Sequence, residues 1–319
     1  MENIVQGQWF RGPSADLGDE ISQSLKFDTN GYLSRAQSSS GDGLISSNRT
    51  FTFSTWFKLG DMTETNIFGI HPSSGNDNWL LNWNNYSSPG STFGGRDAGS
   101  GHMIYTSTAL FRDPTAWYHL FLTCSSGVLS LRVNNVLLNQ TSSQNHSMDR
   151  DFILGAEGNS GSTPMDAWLA ETYFIQGTVM NAVNDGFIRL NGDGVYVPST
   201  PTISSYGTNG WHLTYDSSQA NGIGHDSSGN GNHFTAHNFD TSAISASNES
   251  NDIDIEDTPT KLYPTYNRVA MHSSQTTSEA NLQTSASSYT WAPATIAIPA
   301  NCGKKFYWEV TIRNNAGNE

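Results

Sequence analysis

The chain has 319 residues, 35% hydrophobic and 11% aromatic, enough apolar surface to exclude disorder throughout and to predict about two domains at roughly 150 residues each. Charged residues make up only 14%, and a net charge of −14 excludes a nucleic-acid binder, because no excess of Lys or Arg exists to neutralise phosphates. An ordinary soluble domain carries roughly 25% charge; the polar, uncharged surface implied here is typical of extracellular or particle-borne β-proteins.

The opening MENIVQGQWFRG has neither the basic nor the apolar region of a secretory leader, and no apolar run approaches the roughly 18 residues of a membrane span, so no membrane insertion is expected. Residues 1–18 carry Trp9, Phe10 and Pro13 without any period and predict an arm that docks on a neighbouring chain. From residue 19 the period is two. Phe51, Phe53, Thr55 and Phe57 fall on one face of a strand, with Thr52, Ser54 and Trp56 on the other. Asn76-Asp-Asn-Trp-Leu-Leu-Asn-Trp-Asn-Asn-Tyr86 packs aromatics and amides together. Trp79 and Trp83 read as core, while Asn76, Asp77, Asn84 and Tyr86 are the candidate glycan-binding residues: an aromatic to stack on sugar C–H patches, amides to bond hydroxyls.

Trp117–Thr123 is bulky on both faces and predicts a strand buried on both sides. Ser125-Ser-Gly127 and Asn134-Asn135 then predict two tight turns and an antiparallel meander, since Asn and Gly tolerate positive φ. Further strands are expected at Phe152–Gly155 and Trp168–Ile175. The spacing of Met180, Val183, Phe187 and Leu190 predicts two or three helical turns. Short strands with almost no helix define an all-β fold, an antiparallel β-sandwich of jelly-roll type over residues 19–197.

Residues 198–260 change character and are expected to be a linker with two notable stretches. Asp226-Ser-Ser-Gly-Asn-Gly-Asn232 sets side-chain oxygens at Asp226, Ser228, Asn230 and Asn232, with glycines that let a loop curl around a hard cation such as calcium. The twelfth position is His237 rather than Glu, so an EF-hand is excluded; a tight turn whose side chains satisfy backbone amides remains the other reading. Asp252-Ile-Asp-Ile-Glu256 would put three carboxylates on one face of a strand, the equipment of a retaining glycosidase. Its loop-like flanks favour a solvated acidic linker instead. Cys124 and Cys302 are read as reduced, with no zinc site or disulfide framework. The apolar strand Lys305–Ile312 would be a sticky edge without a partner sheet, so residues 261–319 are expected to open a second β-sandwich that is incomplete at Glu319.

Ser24–Asp28, Gly31–Arg35 and Phe51–Lys58 resemble the opening strands of concanavalin A-like, laminin-G-like jelly rolls, and the likeness continues through Trp117–His119, Leu131–Val136 and Leu169–Glu171. Asn135 departs mildly from the Gly common at that turn. Asp226–His233 and Asp257–Thr260 are similar to segments that follow this jelly roll in proteins of marine bacteriophages, and Gly303–Val310 resembles an early strand of the SPRY-type sandwich that comes next in them. The resemblance implies a non-enzymatic virion protein, a tail or head fibre or adhesin on the phage tail or capsid surface. Its implied partners are other virion proteins and a host-surface glycan, as a homo-oligomer, trimeric if a fibre. Asp252–Glu256 also resembles the Glu-x-Asp-x-Glu core of laminarinase-type jelly-roll glycosidases, with Asp252 where the nucleophilic Glu is expected. A polysaccharide depolymerase is therefore the alternative.

Overall fold

A computed structural model describes residues 16–27, 30–36, 50–60, 65–71, 79–83, 92–97, 102–105, 109–140, 151–157, 161, 163–240, 252–268, 270–278, 281, 283–286 and 290–296. The first seven strands are β1 (Leu25–Phe27), β2 (Tyr32–Arg35), β3 (Phe51–Leu59), β4 (Thr65–His71), β5 (Trp79–Trp83), β6 (Phe93–Asp97) and β7 (His102–Tyr105). The meander and its sequel are β8 (Trp117–Ser125), β9 (Val128–Val133), β10 (Val136–Gln140), β11 (Asp151–Leu154) and β12 (Ala167–Gln176). Then come β13 (Ile188–Leu190), β14 (Tyr196–Pro198), β15 (Trp211–Leu213), β16 (Thr235–His237), β17 (Gln275–Ser278) and β18 (Gln283–Ala286). Among the described residues there is no α-helix.

Two antiparallel seven-stranded sheets face each other. The first runs β1-β12-β3-β8-β9-β10 with β15 also on β12; the second runs β16-β2-β11-β4-β5-β6-β7. Alternation supplies the core between them: Phe51, Phe53 and Phe57 of β3 and Leu120 and Leu122 of β8 meet Phe68, Trp83, Phe152 and Leu154 from the second sheet, all buried. The expected turns are present. Ser126 and Gly127 (φ 50 and 85) close β8 onto β9, and Asn134 and Asn135 (φ 47 and 64) close β9 onto β10, positive values that suit the right-handed twist of a two-residue hairpin.

Both faces of β3 and β8 are covered, as their bulk requires. On the outer face of the first sheet, Trp56, Trp117, Phe121, Trp168, Tyr173 and Phe187 form a second buried cluster under the chain from Met180 to Tyr206 and under Ile255 and Leu262. The expected helix is not there. Asn181 accepts from the N–H groups of Val183 and Asn184 to make one turn, Gly186 (φ 83) ends it, and Leu190 lies on β13, exposed. The helical spacing reflects contact of Met180, Val183 and Phe187 with the apolar face beneath them.

Residues 198–260, expected to be a linker, contribute to both sheets. β15 extends the first sheet beside β12, and β16 extends the second beside β2. Trp211 stacks on Phe174 and meets Phe234 edge-on, both in the inter-sheet core. The composition is loop-like because one large aromatic per short strand is enough to anchor it. The acidic stretch is tied down by buried ion pairs: Lys26 with Asp252 at 3.0 Å and Lys58 with Asp257 at 2.5 Å. The arm expected at 1–18 is described only from residue 16, where Asp16 pairs with Arg189. The Lys305–Ile312 strand lies outside the described residues, as does Cys302; Cys124 is buried.

Candidate functional site

The candidate glycan residues Asn76, Asp77, Asn84 and Tyr86 lie outside the described residues. Between them, β5 buries Leu81 and Trp83 in the core, in keeping with the core reading of Trp83.

The Asp226–Asn232 loop gathers hydrogen-bond donors around the Asp226 carboxylate. Asp226 is buried, and its Oδ1 accepts from the amides of His212 (2.9 Å) and Ser228 (2.9 Å). Its Oδ2 accepts from Ser228 Oγ (2.9 Å) and the amide of Asn232 (2.8 Å). Asn230 Nδ2 donates to the carbonyls of Gly207 and Gly210, and Asn232 Nδ2 to those of Thr208 and Gly210. Asn232 Oδ1 in turn accepts from Arg35 at 2.6 Å. These bonds tie the loop to residues 207–212. Among the described residues no group of three or more His, Cys, Asp or Glu is placed to hold a metal.

The three carboxylates of Asp252–Glu256 do not share a strand face. Asp252 is buried against Lys26, Asp254 (φ 53) accepts from Ser217, and Glu256 accepts from the Tyr263 hydroxyl at 2.6 Å on the surface. The positive φ at Asp254 breaks the alternation on which the glycosidase pattern depends.

A cleft that sequence reasoning did not single out opens on the outer face of the first sheet. β12 pairs with β3 as Ala170↔Trp56 and Tyr173↔Ser54, so Glu171 and Thr172 together oppose the single residue Thr55. This is a β-bulge, a device that re-aims a side chain. Thr172 turns inward, where its hydroxyl lies 2.7 Å from Thr55 Oγ1 and 2.5 Å from the Tyr215 hydroxyl. Glu171, at φ +48, is thereby left on the outer face. Its Oε2 accepts from the Tyr173 hydroxyl at 2.6 Å and from His212 Nε2 at 2.7 Å. The His212 ring stacks on Tyr173, centroids 4.0 Å apart.

The electrostatics follow from that geometry. Burial pushes the Glu171 carboxyl up, but the bond and charge of His212 and the Tyr173 hydroxyl outweigh it and hold the group below the usual range. Burial, then the Glu171 charge, raises Tyr173 well above an ordinary phenol. Beside this pair Ser54 Oγ lies 2.9 Å from His119 Nε2, and desolvation lowers His119 to about 3, so it stays neutral. Among the described residues His119 Nδ1 has no hydrogen-bond partner. Asp19, Glu20, Ile21, Trp56, Phe187 and Pro198 complete the walls. The only sequence signal was negative: one-residue bulges cannot be seen in a two-period pattern, and His212 carries no ligand spacing.

Residues 28–181 match the family described as the concanavalin A-like lectin/glucanases superfamily, laminin-G type. No curated protein matches the chain. Among solved structures, a native heptameric SAP-like pentraxin from Limulus polyphemus is similar at 13% identity and a TM-score of 0.38, over 51% of this chain and 80% of that one. A putative carbohydrate binding protein from Bacteroides ovatus is similar at 15% and 0.34, over 58% and 60%. Domains LG4-5 of the mouse laminin alpha1 chain follow at 11% and 0.37, over 56% and 48%. With every TM-score below 0.5, these likenesses describe neither ligand nor activity here.

Proposed function

We propose that this chain is a virion protein of a bacteriophage, a tail- or head-fibre component whose jelly roll attaches to a glycan of the host surface without cleaving it. The observation that carries the reading is the fate of the carboxylates. Asp252 sits in a buried ion pair with Lys26, Asp254 holds Ser217, and Glu256 holds Tyr263, so the set that would make the domain a depolymerase is dispersed into structural bonds. A lectin/glucanase sandwich with that set dispersed is suited to binding. The virion assignment is supported by the phage-like segments Asp226–His233 and Asp257–Thr260 and by a surface drawn from a chain with only 14% charged residues.

Attachment is measured directly by incubating the labelled chain with host cells before and after periodate oxidation of their surface sugars. The expected result is decoration that periodate abolishes, with no reducing ends released from laminarin or agarose. Binding that survives periodate would overturn the reading, as would release of reducing ends that Glu256→Gln removes.

A further inference from the structure

Both hydrogen-bond donors to Glu171 land on one oxygen. Tyr173 and His212 each reach Oε2, and Oε1 receives no hydrogen bond among the described residues. The Glu171 side chain is 22% exposed, so this oxygen belongs to a carboxylate that is fixed in place yet reachable from the cleft. His119 lines the same cleft, 1% exposed, with Nδ1 unpartnered among the described residues. A buried polar atom without a partner costs free energy unless a water or ligand group satisfies it. Ile21, Trp56, Phe187 and Pro198 line the same cleft. An oriented acceptor beside an apolar wall suits a molecule with hydroxyls on one side and C–H groups on the other. A hydrated cation would gain nothing from that wall.

We propose that this cleft is a saccharide-binding site for a hexopyranose without an acid group, whose hydroxyls donate to Glu171 Oε1 and reach the buried His119 Nδ1 only through a water. The inference rests on the glycan-binding reading above and names its site. Charge sets the specificity. Asp19 and Glu171 line the cleft, and Glu20 beside them is paired with Lys261 at 3.0 Å. Among the described residues the lining holds neither Lys nor Arg, so the carboxylate of a sialic or uronic acid gains no direct cationic partner in the lining and meets the charges of Asp19 and Glu171. The Glu171 oxygen is held by the bulge and by two donors before any ligand arrives, which reduces the ordering cost of binding.

The test titrates the full chain with methyl glycosides of glucose, galactose and mannose, and separately with N-acetylneuraminic acid and methyl glucuronide, following the imidazole resonances by NMR. At least one neutral glycoside should saturate and shift His119 and His212, while the acids leave them unmoved. Glu171→Gln puts an amide donor where the free acceptor was and should weaken the bound glycoside about tenfold or more, a loss of about 1.4 kcal/mol. Thr200→Trp, an exposed residue on the rim, should block the mouth without touching the bulge and so separates lost binding from lost folding. Binding that leaves both imidazoles unmoved and survives both variants would overturn the cleft while sparing the glycan reading. If periodate-sensitive attachment to cells holds but only the acid sugars bind, the specificity argument falls. If the chain binds neither these sugars nor cells, both the site and the reading fall together.

Discussion

Asp257 offers the sharpest test of whether the acidic stretch is linker or core. Its carboxylate sits 2.5 Å from Lys58 Nζ and accepts from Trp117 Nε1 at 3.1 Å, while Lys58 also lies over the Trp168 ring, 5.2 Å from its centroid. Lys58 is 1% exposed and belongs to β3, in the middle of the first sheet. Asp257→Ala therefore strands a buried ammonium, and breaking a buried pair from one side costs about 3–5 kcal/mol. With a urea m-value near 3 kcal/mol/M, the unfolding midpoint should fall by about 1 M or more. Asp254→Ala removes an exposed carboxylate bonded to Ser217 and should cost about 1 kcal/mol or less. Adding Lys58→Met to Asp257→Ala should recover part of the loss, because the stranded charge goes with it. Urea denaturation followed by tryptophan fluorescence reads all three. A solvated linker predicts that both aspartate variants stay within about 0.5 kcal/mol of wild type; that result for Asp257→Ala would refute the packing argument.

His119 makes stability depend on pH with a definite sign. Its imidazole titrates near 6.5 when unfolded and about 3 when folded, so between those values the unfolded chain binds more protons and stability falls as pH falls. From pH 7 to pH 5 this residue alone contributes a loss of about 2 kcal/mol, and His119→Gln should lose that much less over the same interval; equal losses in urea titrations would refute the assignment. Asp226→Ala should destabilise by about 3 kcal/mol, since three backbone amides and the Ser228 hydroxyl lose their acceptor. EDTA should leave the wild-type Tm in place, whereas an EDTA-induced drop matching Asp226→Ala would restore the calcium reading.

The sandwich was legible because its signals are local. Phe51, Phe53 and Phe57 alternate with Thr52, Ser54 and Trp56, and the Asn134-Asn135 turn needs only its own two φ angles. What escaped is set by sequence-distant partners. Asp252 and Asp257 read as solvated because the lysines that bury them, Lys26 and Lys58, lie about two hundred residues earlier, on β1 and β3. The Asp226 loop pattern names its own side chains but not their partners, the His212 amide and the Gly207, Thr208 and Gly210 carbonyls, which come from outside the motif. Met180, Val183 and Phe187 mimic a helix because a covering loop that touches an apolar face at intervals produces the same spacing.

The same distant packing makes the cleft. A first sheet with aromatic residues on its outer face needs a cover, and the chain from Met180 to Tyr206, with Ile255 and Leu262, provides one. That cover is built of turns and short strands, and where it passes Phe187 and Pro198 it leaves the row His212, Glu171, Ser54 and His119 at the base of a gap. Without the extra residue in β12, the position beside Ala170 would point inward and the row would hold no carboxylate. Thr55, Thr172 and Tyr215 carry the hydroxyl chain that fixes this bulge, and Tyr215 follows β15, a strand from the stretch expected to be a linker. The site and the fold's second half are therefore one construction: loosening the Asp226 latch on residues 207–212 would loosen His212, and with it one of the two bonds that hold Glu171.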